Sequence, residues 1–240
     1  MENESLAATR WTLVMAAASL DDPEPAMRAL AELCLTYWPP LYAYIRRQGA
    51  DPHEAEDLTQ EFFAHLLAKN YLADADPAKG KFRSFLLASL KHFLSNERDR
   101  ARAQKRGGGK TVIALDALSE SARARIEPVE SSTPDKAYDR QWALTLLDQA
   151  LKRLRAEFAD AGREKLFEEM KPFLTGDAPA QSHAEIAAKC ALTEGAVKVA
   201  VHRMRRRYRT LLREEVAQTV ATPEEVDGEI RDLFAAFQPE

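Results

Sequence analysis

The sequence predicts an all-α protein: two small helical domains joined by a flexible linker. Three observations lead there. Apolar residues recur at the helical period through almost every patterned stretch. Thr111-Val112-Ile113-Ala114-Leu115 is the only strand-like run and is too isolated to build a sheet. Between the two patterned halves, residues 107–136 open on Gly107-Gly108-Gly109 and continue rich in Ser, Glu and Pro. With 240 residues, 45% hydrophobic and 30% charged, the chain is long enough for two such cores.

Residues 1–22 read as an N-terminal extension. From 23 to 106 a first bundle is expected. Ala29, Leu30, Leu33, Tyr37, Leu41, Tyr44 and Ile45 mark one or two helices, interrupted at Pro39-Pro40, because proline removes a helix hydrogen bond. Asp51 is the N-cap of the next helix, with Pro52 at its first position and Glu54 closing a capping box. Its apolar stripe is Ala55, Leu58, Phe62, Phe63, Leu66 and Leu67, ending near Asn70; Glu54, Asp57, Gln60 and Glu61 oppose it. The following helix packs through Phe82, Phe85, Leu86, Leu90, Phe93 and Leu94. A second domain spans 137–213, first through Trp142, Leu146, Leu147, Ala150, Leu151, Leu154 and Phe158, then Leu166, Phe167, Met170, Phe173 and Leu174, with a turn over Gly176–Ala180. An acidic extension, 214–240, carries a helix capped by Thr222, with Pro223 first and Val226, Ile230, Leu233, Phe234 and Phe237 inside.

The net charge of −4 argues weakly against nucleic acid, but its distribution overrides the average. Lys91–Arg106 holds six basic residues against two acidic ones; Arg203–Arg213 holds six arginines and no acid; the segment from Glu214 holds eight acids against Arg231. Segregated charge points to separate partners. Cys34 and Cys190 sit at apolar positions and read as buried small hydrophobes. Met1-Glu2-Asn3-Glu4 is acidic where a secretory leader needs a basic start, and no apolar run approaches the roughly 20 residues that span a bilayer. No membrane association is expected, and a reducing cytoplasm is the expected compartment.

Two patterns carry chemistry. Arg98, Arg102, Lys105 and Arg106 share one helix face, with Lys91, His92 and Asn96 just upstream. Residues 182–212 form a helix-turn-helix: Ser182 caps the first helix with Glu185 at its capping-box position, Ala191-Leu192 makes the turn, and Thr193 caps the second. That second helix buries Val197, Ala200, Val201, Met204, Tyr208 and Leu211, and presents Lys198, Val199, His202, Arg205, Arg206 and Arg209. Such a helix can enter the major groove, with arginines on phosphate and Val199 against a thymine methyl group. Glu54, Asp57 and Glu61 share a face, yet no histidine or second acidic segment completes a metal site, so neither an enzyme nor a cofactor is expected.

At these residues the chain resembles a family. Glu56-Asp57-Leu58-Thr59-Gln60-Glu61-Phe62-Phe63, then Phe82-Arg83-Ser84-Phe85-Leu86 and a basic helix, are similar to region 2 of sigma-70 family sigma factors, closest to the extracytoplasmic-function group. Ser182–Arg207 resembles that group's region 4, with Ala191 where the family usually has glycine and Val199-Ala200 where a polar-basic pair is common. The resemblance implies a non-enzymatic factor that joins core RNA polymerase through Asp57, Gln60 and Glu61, supported by Phe63. It implies reading and melting of the promoter minus-ten element by Lys91, His92, Asn96, Arg98, Arg100 and Arg102. Contact with the minus-thirty-five element falls to Lys198, Val199, His202, Arg203, Arg205 and Arg206. Thr59 is a candidate phosphorylation site, and an anti-sigma factor or Ser/Thr kinase a candidate partner. The acidic tail either covers the recognition helix or merely solubilises the chain. The competing reading is a stand-alone helix-turn-helix regulator.

Overall fold

The computed structural model describes residues 23–68, 81–104, 133–175 and 182–238. The N-terminal extension, the strand-like run at Thr111–Leu115, nearly all of the expected linker, the turn at Gly176–Ala180, and Lys105 and Arg106 lie outside them. Every regular element among the described residues is helical: α1 (Pro23–Arg47), α2 (Pro52–Ala68), α3 (Phe82–Gln104), α4 (Pro134–Asp160), α5 (Glu164–Met170), α6 (Pro172–Thr175), α7 (His183–Cys190), α8 (Glu194–Ala217), a 3-10 turn at Pro223–Glu225, and α9 (Val226–Ala235). They form two compact units. One holds α1–α3, the start of α4 to Thr145, and the chain from Ala217; the other is Leu146–Val216.

In the first unit the expected break at Pro39-Pro40 does not occur: α1 is one helix with both prolines inside it. An interior proline costs about 3 kcal/mol. Here the loss is offset by burial, since Tyr37, Trp38, Leu41, Tyr42, Ala43, Tyr44 and Ile45 are all buried around the prolines. The helix stops at Gly49, whose φ of 99° is the left-handed conformation that glycine adopts freely. As expected, Asp51 caps α2, its Oδ1 accepting from the Glu54 backbone N–H at 2.9 Å. Ala55, Phe62, Phe63 and Leu66 are buried from α2, Leu58 is half-buried, and α3 buries Phe82, Leu86, Leu90, Phe93 and Leu94. Cys34 and Cys190 are half-buried rather than buried, and burial pushes the Cys34 thiol up to about 12.

Two further segments complete this core. Helix α4 starts at Pro134, inside the stretch read as linker. Trp142, assigned from sequence to the second domain, instead stacks on Tyr37 of α1 with ring centroids 4.5 Å apart. The fully buried Tyr138 donates its hydroxyl to the Arg83 carbonyl at 2.9 Å. The apolar face of α4 therefore serves two cores, which one helical period cannot reveal. The acidic tail joins too, at the beginning of α3. Phe82 N–H donates to the Thr219 carbonyl at 3.0 Å. Glu229 is fully buried, receiving Arg83 Nε at 2.6 Å and lying 2.7 Å from Lys81 Nζ. Lys81 also reaches Asp232 at 2.7 Å, and Arg83 bonds Asp139 of α4. Burial raises the Asp139 carboxyl despite Arg83 beside it, whereas the Lys81 hydrogen bond lowers Asp232. Within the first unit, Glu229 and Asp232 of the tail thus pair with Lys81 and Arg83.

The second unit packs Ala150, Leu154, Phe167, Met170, Ile186, Ala187, Val197, Val201, Met204 and Leu211. Tyr208 donates its hydroxyl to the Leu147 carbonyl at 3.0 Å, and burial pushes it up to about 12. Glu214 and Glu215, counted from sequence with the tail, belong to α8 and bind Arg153 at 2.6 and 2.9 Å. The expected capping box is present: the Glu185 N–H donates to the Ser182 hydroxyl, and Ser182 N–H donates to the Glu185 carboxylate at 2.6 Å. Ala191 ends α7 in the left-handed conformation, φ 52°, and is exposed.

Two stability outcomes follow from these contacts. Glu229→Ala leaves Arg83 and Lys81 without their buried counter-charge, and urea unfolding should show a loss of about 3 kcal/mol; a change within error contradicts the clasp. Ala191→Gly relieves a left-handed alanine, and after glycine's own entropy cost should stabilise by about 0.5–1 kcal/mol in the same assay. A destabilised glycine variant contradicts that geometry.

Candidate nucleic-acid interface

The acidic face of α2 is laid out as the helical spacing demands. Glu54 and Asp57 are exposed, and Gln60 and Glu61 half-exposed. Phe63 is buried, 5.9 Å from the Phe62 ring, and supports the face from beneath. Thr59 is a correction. It is fully buried, and its hydroxyl donates to the Ala55 carbonyl at 2.6 Å, so no kinase can reach it in the folded unit. Threonine satisfies its hydroxyl on its own helix and then tolerates an apolar environment, which polarity scales do not register.

Along α3 the cations differ in what holds them. Lys91 sits 2.5 Å from Asp135 of α4 and 5.7 Å from the centre of the Tyr44 ring, and the Asp135 hydrogen bond raises its pKa. His92 and Asn96 are exposed. Arg98 donates to Gln48 Oε1 at 2.7 Å, and Arg100 pairs with Glu97 at 2.5 Å. Arg102 is helical, and its side chain lies outside the described residues. Asp135, Gln48 and Tyr44 were absent from the sequence-based set. They lie 44 to 50 positions from their partners, and nothing periodic links them.

In the second unit α7 is followed by α8 across the turn at Ala191 and Leu192, with Thr193 Oγ1 accepting from Ala196 N–H at 3.2 Å as the cap of α8. Val197, Val201, Met204 and Leu211 are buried, Ala200 and Tyr208 half-buried. Lys198 pairs with Glu194 at 2.7 Å, and that bond lowers the Glu194 pKa. Val199 is 51% exposed and lines a groove of about 440 Å³ with Phe158, Leu166, Met204, Arg163 and Arg203. His202, Arg203 and Arg206 are exposed. Arg205 is partly committed: Nε and one terminal nitrogen donate to the Phe173 carbonyl at 3.2 and 3.0 Å, satisfying the end of α6. Arg207 is held by Glu157 at 2.6 Å, lowering that carboxyl.

The two basic segments can thus offer guanidinium groups to phosphate, though fewer than the residue count suggests. Among the described residues no three His, Cys, Asp or Glu side chains converge as a metal-ligating group. No described helix is long and apolar enough to cross a membrane.

Comparison with known proteins bears on the first unit. Neither the curated proteins nor the solved structures yield a match. Residues 33–107, however, match the family model of Sigma-70 region 2. That span takes in most of α1 and all of α2 and α3, hence both the acidic face and the cationic helix beside it. The first-unit helices are similar to sigma-70 region 2, and the match supports a sigma-70 family sigma factor.

Proposed function

We propose that the chain is a sigma factor of the extracytoplasmic-function group, which binds core RNA polymerase and directs promoter recognition, melting and initiation at a subset of genes. The Sigma-70 region 2 match over residues 33–107 carries this reading. An acidic helix face beside a cationic one suits it, because one surface must meet a protein with basic groups and the other DNA.

In this reading α1–α3 of the first unit are region 2 and the second unit, Leu146–Val216, carries region 4, since the start of α4, expected from sequence to open region 4 at 137, packs in the first unit instead. Asp57, Gln60 and Glu61 dock on the polymerase with Phe63 beneath them. Lys91, His92, Asn96, Arg98, Arg100 and Arg102 meet the minus-ten element as its strands separate. Lys198, Val199, His202, Arg203 and Arg206 meet the minus-thirty-five element. Arg205 contributes less, because it already serves the Phe173 carbonyl. The protein acts in the cytoplasm without catalysis of its own, under an anti-sigma partner or a kinase acting elsewhere than Thr59. A stand-alone regulator draws on the same capped helix-turn-helix, and tight binding of a palindromic duplex by the free chain would favour it.

Binding to core polymerase tests the reading. The chain should be retained by immobilised core enzyme at low salt, and Asp57→Lys should weaken retention at least tenfold with unchanged thermal unfolding, because a charge reversed at an exposed docking face meets basic groups. No retention of the parent chain contradicts the function; equal retention of the variant contradicts the docking face. For DNA, Arg206→Ala should reduce the salt dependence of duplex binding by about one unit, while Arg205→Ala changes it less. A larger effect from Arg205 contradicts the division of labour between them.

A further inference from the structure

We infer that Gln48 and Tyr44, at the end of α1, are positioning residues that hold Arg98 of α3 ready for nucleic-acid phosphate. The inference rests on the reading of α3 as a DNA-binding helix. Its basis is a short relay. Gln48 Nε2 donates to the Tyr44 hydroxyl at 3.0 Å, and Gln48 Oε1 accepts from the Arg98 guanidinium at 2.7 Å. Arginine can only donate, so the carbonyl end of the amide must face Arg98 and its amino end the tyrosine. Tyr44 is fixed by burial in the first core and Gln48 by its backbone, its side chain being exposed and held by the tyrosine hydroxyl. The Gln48 N–H bonds the Tyr44 and Ile45 carbonyls at 3.1 and 3.0 Å, and Gly49 closes the helix behind it.

Charge distinguishes this contact from its neighbours. Lys91 and Arg100 are held by carboxylates, Asp135 and Glu97, which orient a cation but also neutralise it. Gln48 is neutral. It orders Arg98 while leaving the full positive charge and four of the five guanidinium N–H donors for a phosphate. A long side chain ordered before binding loses less rotamer freedom on binding, an advantage of about three- to tenfold in affinity. Tyr44 serves the same surface twice, because its ring also lies beneath the Lys91 ammonium. Lys91 and Arg98 are seven residues apart and share one face of α3, about 10 Å apart along its axis. A strand crossing that face meets both.

The test is a double-mutant cycle in the holoenzyme, reading promoter DNA affinity as a function of salt. Gln48→Ala should weaken DNA about three- to tenfold, with thermal unfolding and polymerase affinity unchanged. Arg98→Ala should weaken it at least as much, and adding Gln48→Ala to Arg98→Ala should cost nothing further. Tyr44→Phe, which keeps the ring and removes the hydroxyl, should act in the direction of Gln48→Ala. Gln48→Glu should keep Arg98 ordered yet lower affinity and the salt slope, by neutralising it. Unaltered affinity in Gln48→Ala, or an equal loss with and without Arg98, overturns the positioning role. If Arg98→Ala itself leaves affinity unchanged, the assignment of α3 to DNA fails and the inference fails with it.

Discussion

A single carboxylate taken wholly out of water organises the first unit. Glu229 would cost several kcal/mol alone in that position. Arg83 and Lys81 offset the cost, and each brings a second acid with it, Asp139 from α4 and Asp232 from α9. Adjacent backbone groups reinforce the junction, since the Arg83 carbonyl accepts from Tyr138 and the Phe82 amide donates to Thr219. The beginning of α3 is therefore where segments more than 140 residues apart are tied together. The far end of the same helix carries its exposed cations. One element thus has a structural half and a charged half, and rigidity in the first steadies the second.

Counting charges along the chain overstates what a partner would meet. Lys91, Arg100, Lys198 and Arg207 each face a carboxylate, and Arg205 serves a carbonyl at the end of a helix. Most of these pairs are exposed and worth at most about 1 kcal/mol, so phosphate can compete for the cations. They nonetheless grade the surface. Arg203 and Arg206 on α8, and Arg98 on α3, keep more of their charge for an incoming strand than their neighbours do. The acidic α2 face contrasts with this pattern, because Asp57 stands in water at the helix surface while Phe63 fixes the helix from below.

Local signals in the sequence were legible where local physics decides the outcome. The Asp51 cap, the Ser182–Glu185 box, the Thr193 cap and the buried faces of α2, α3 and α8 all follow from spacing and side-chain chemistry. Failures occurred where a distant partner overrode a local rule. Proline interrupts a helix unless packing around it is dense, as it is near Pro39 and Pro40. Trp142 fits the helical period equally well in either core, and only tertiary contact with Tyr37 selects one. The tail reads as polar because Glu229, Asp232 and Glu214 look alike until their arginine and lysine partners are known. Thr59 was misplaced for the opposite reason: a polar side chain can vanish into a core by bonding its own backbone. In the candidate site, the residues presenting charge were visible in sequence, whereas Gln48, Tyr44 and Asp135, which hold those residues, were not.

As a sigma factor, the function proposed above, this chain confers promoter choice on a polymerase that otherwise lacks it. Mapping the 5′ ends of transcripts made on genomic DNA by core enzyme, with and without the chain, measures that directly. The account predicts a limited set of new, sharply defined start sites that share upstream sequence at two spaced positions. An unchanged distribution of ends, in reactions where the chain is bound to the enzyme, would contradict it.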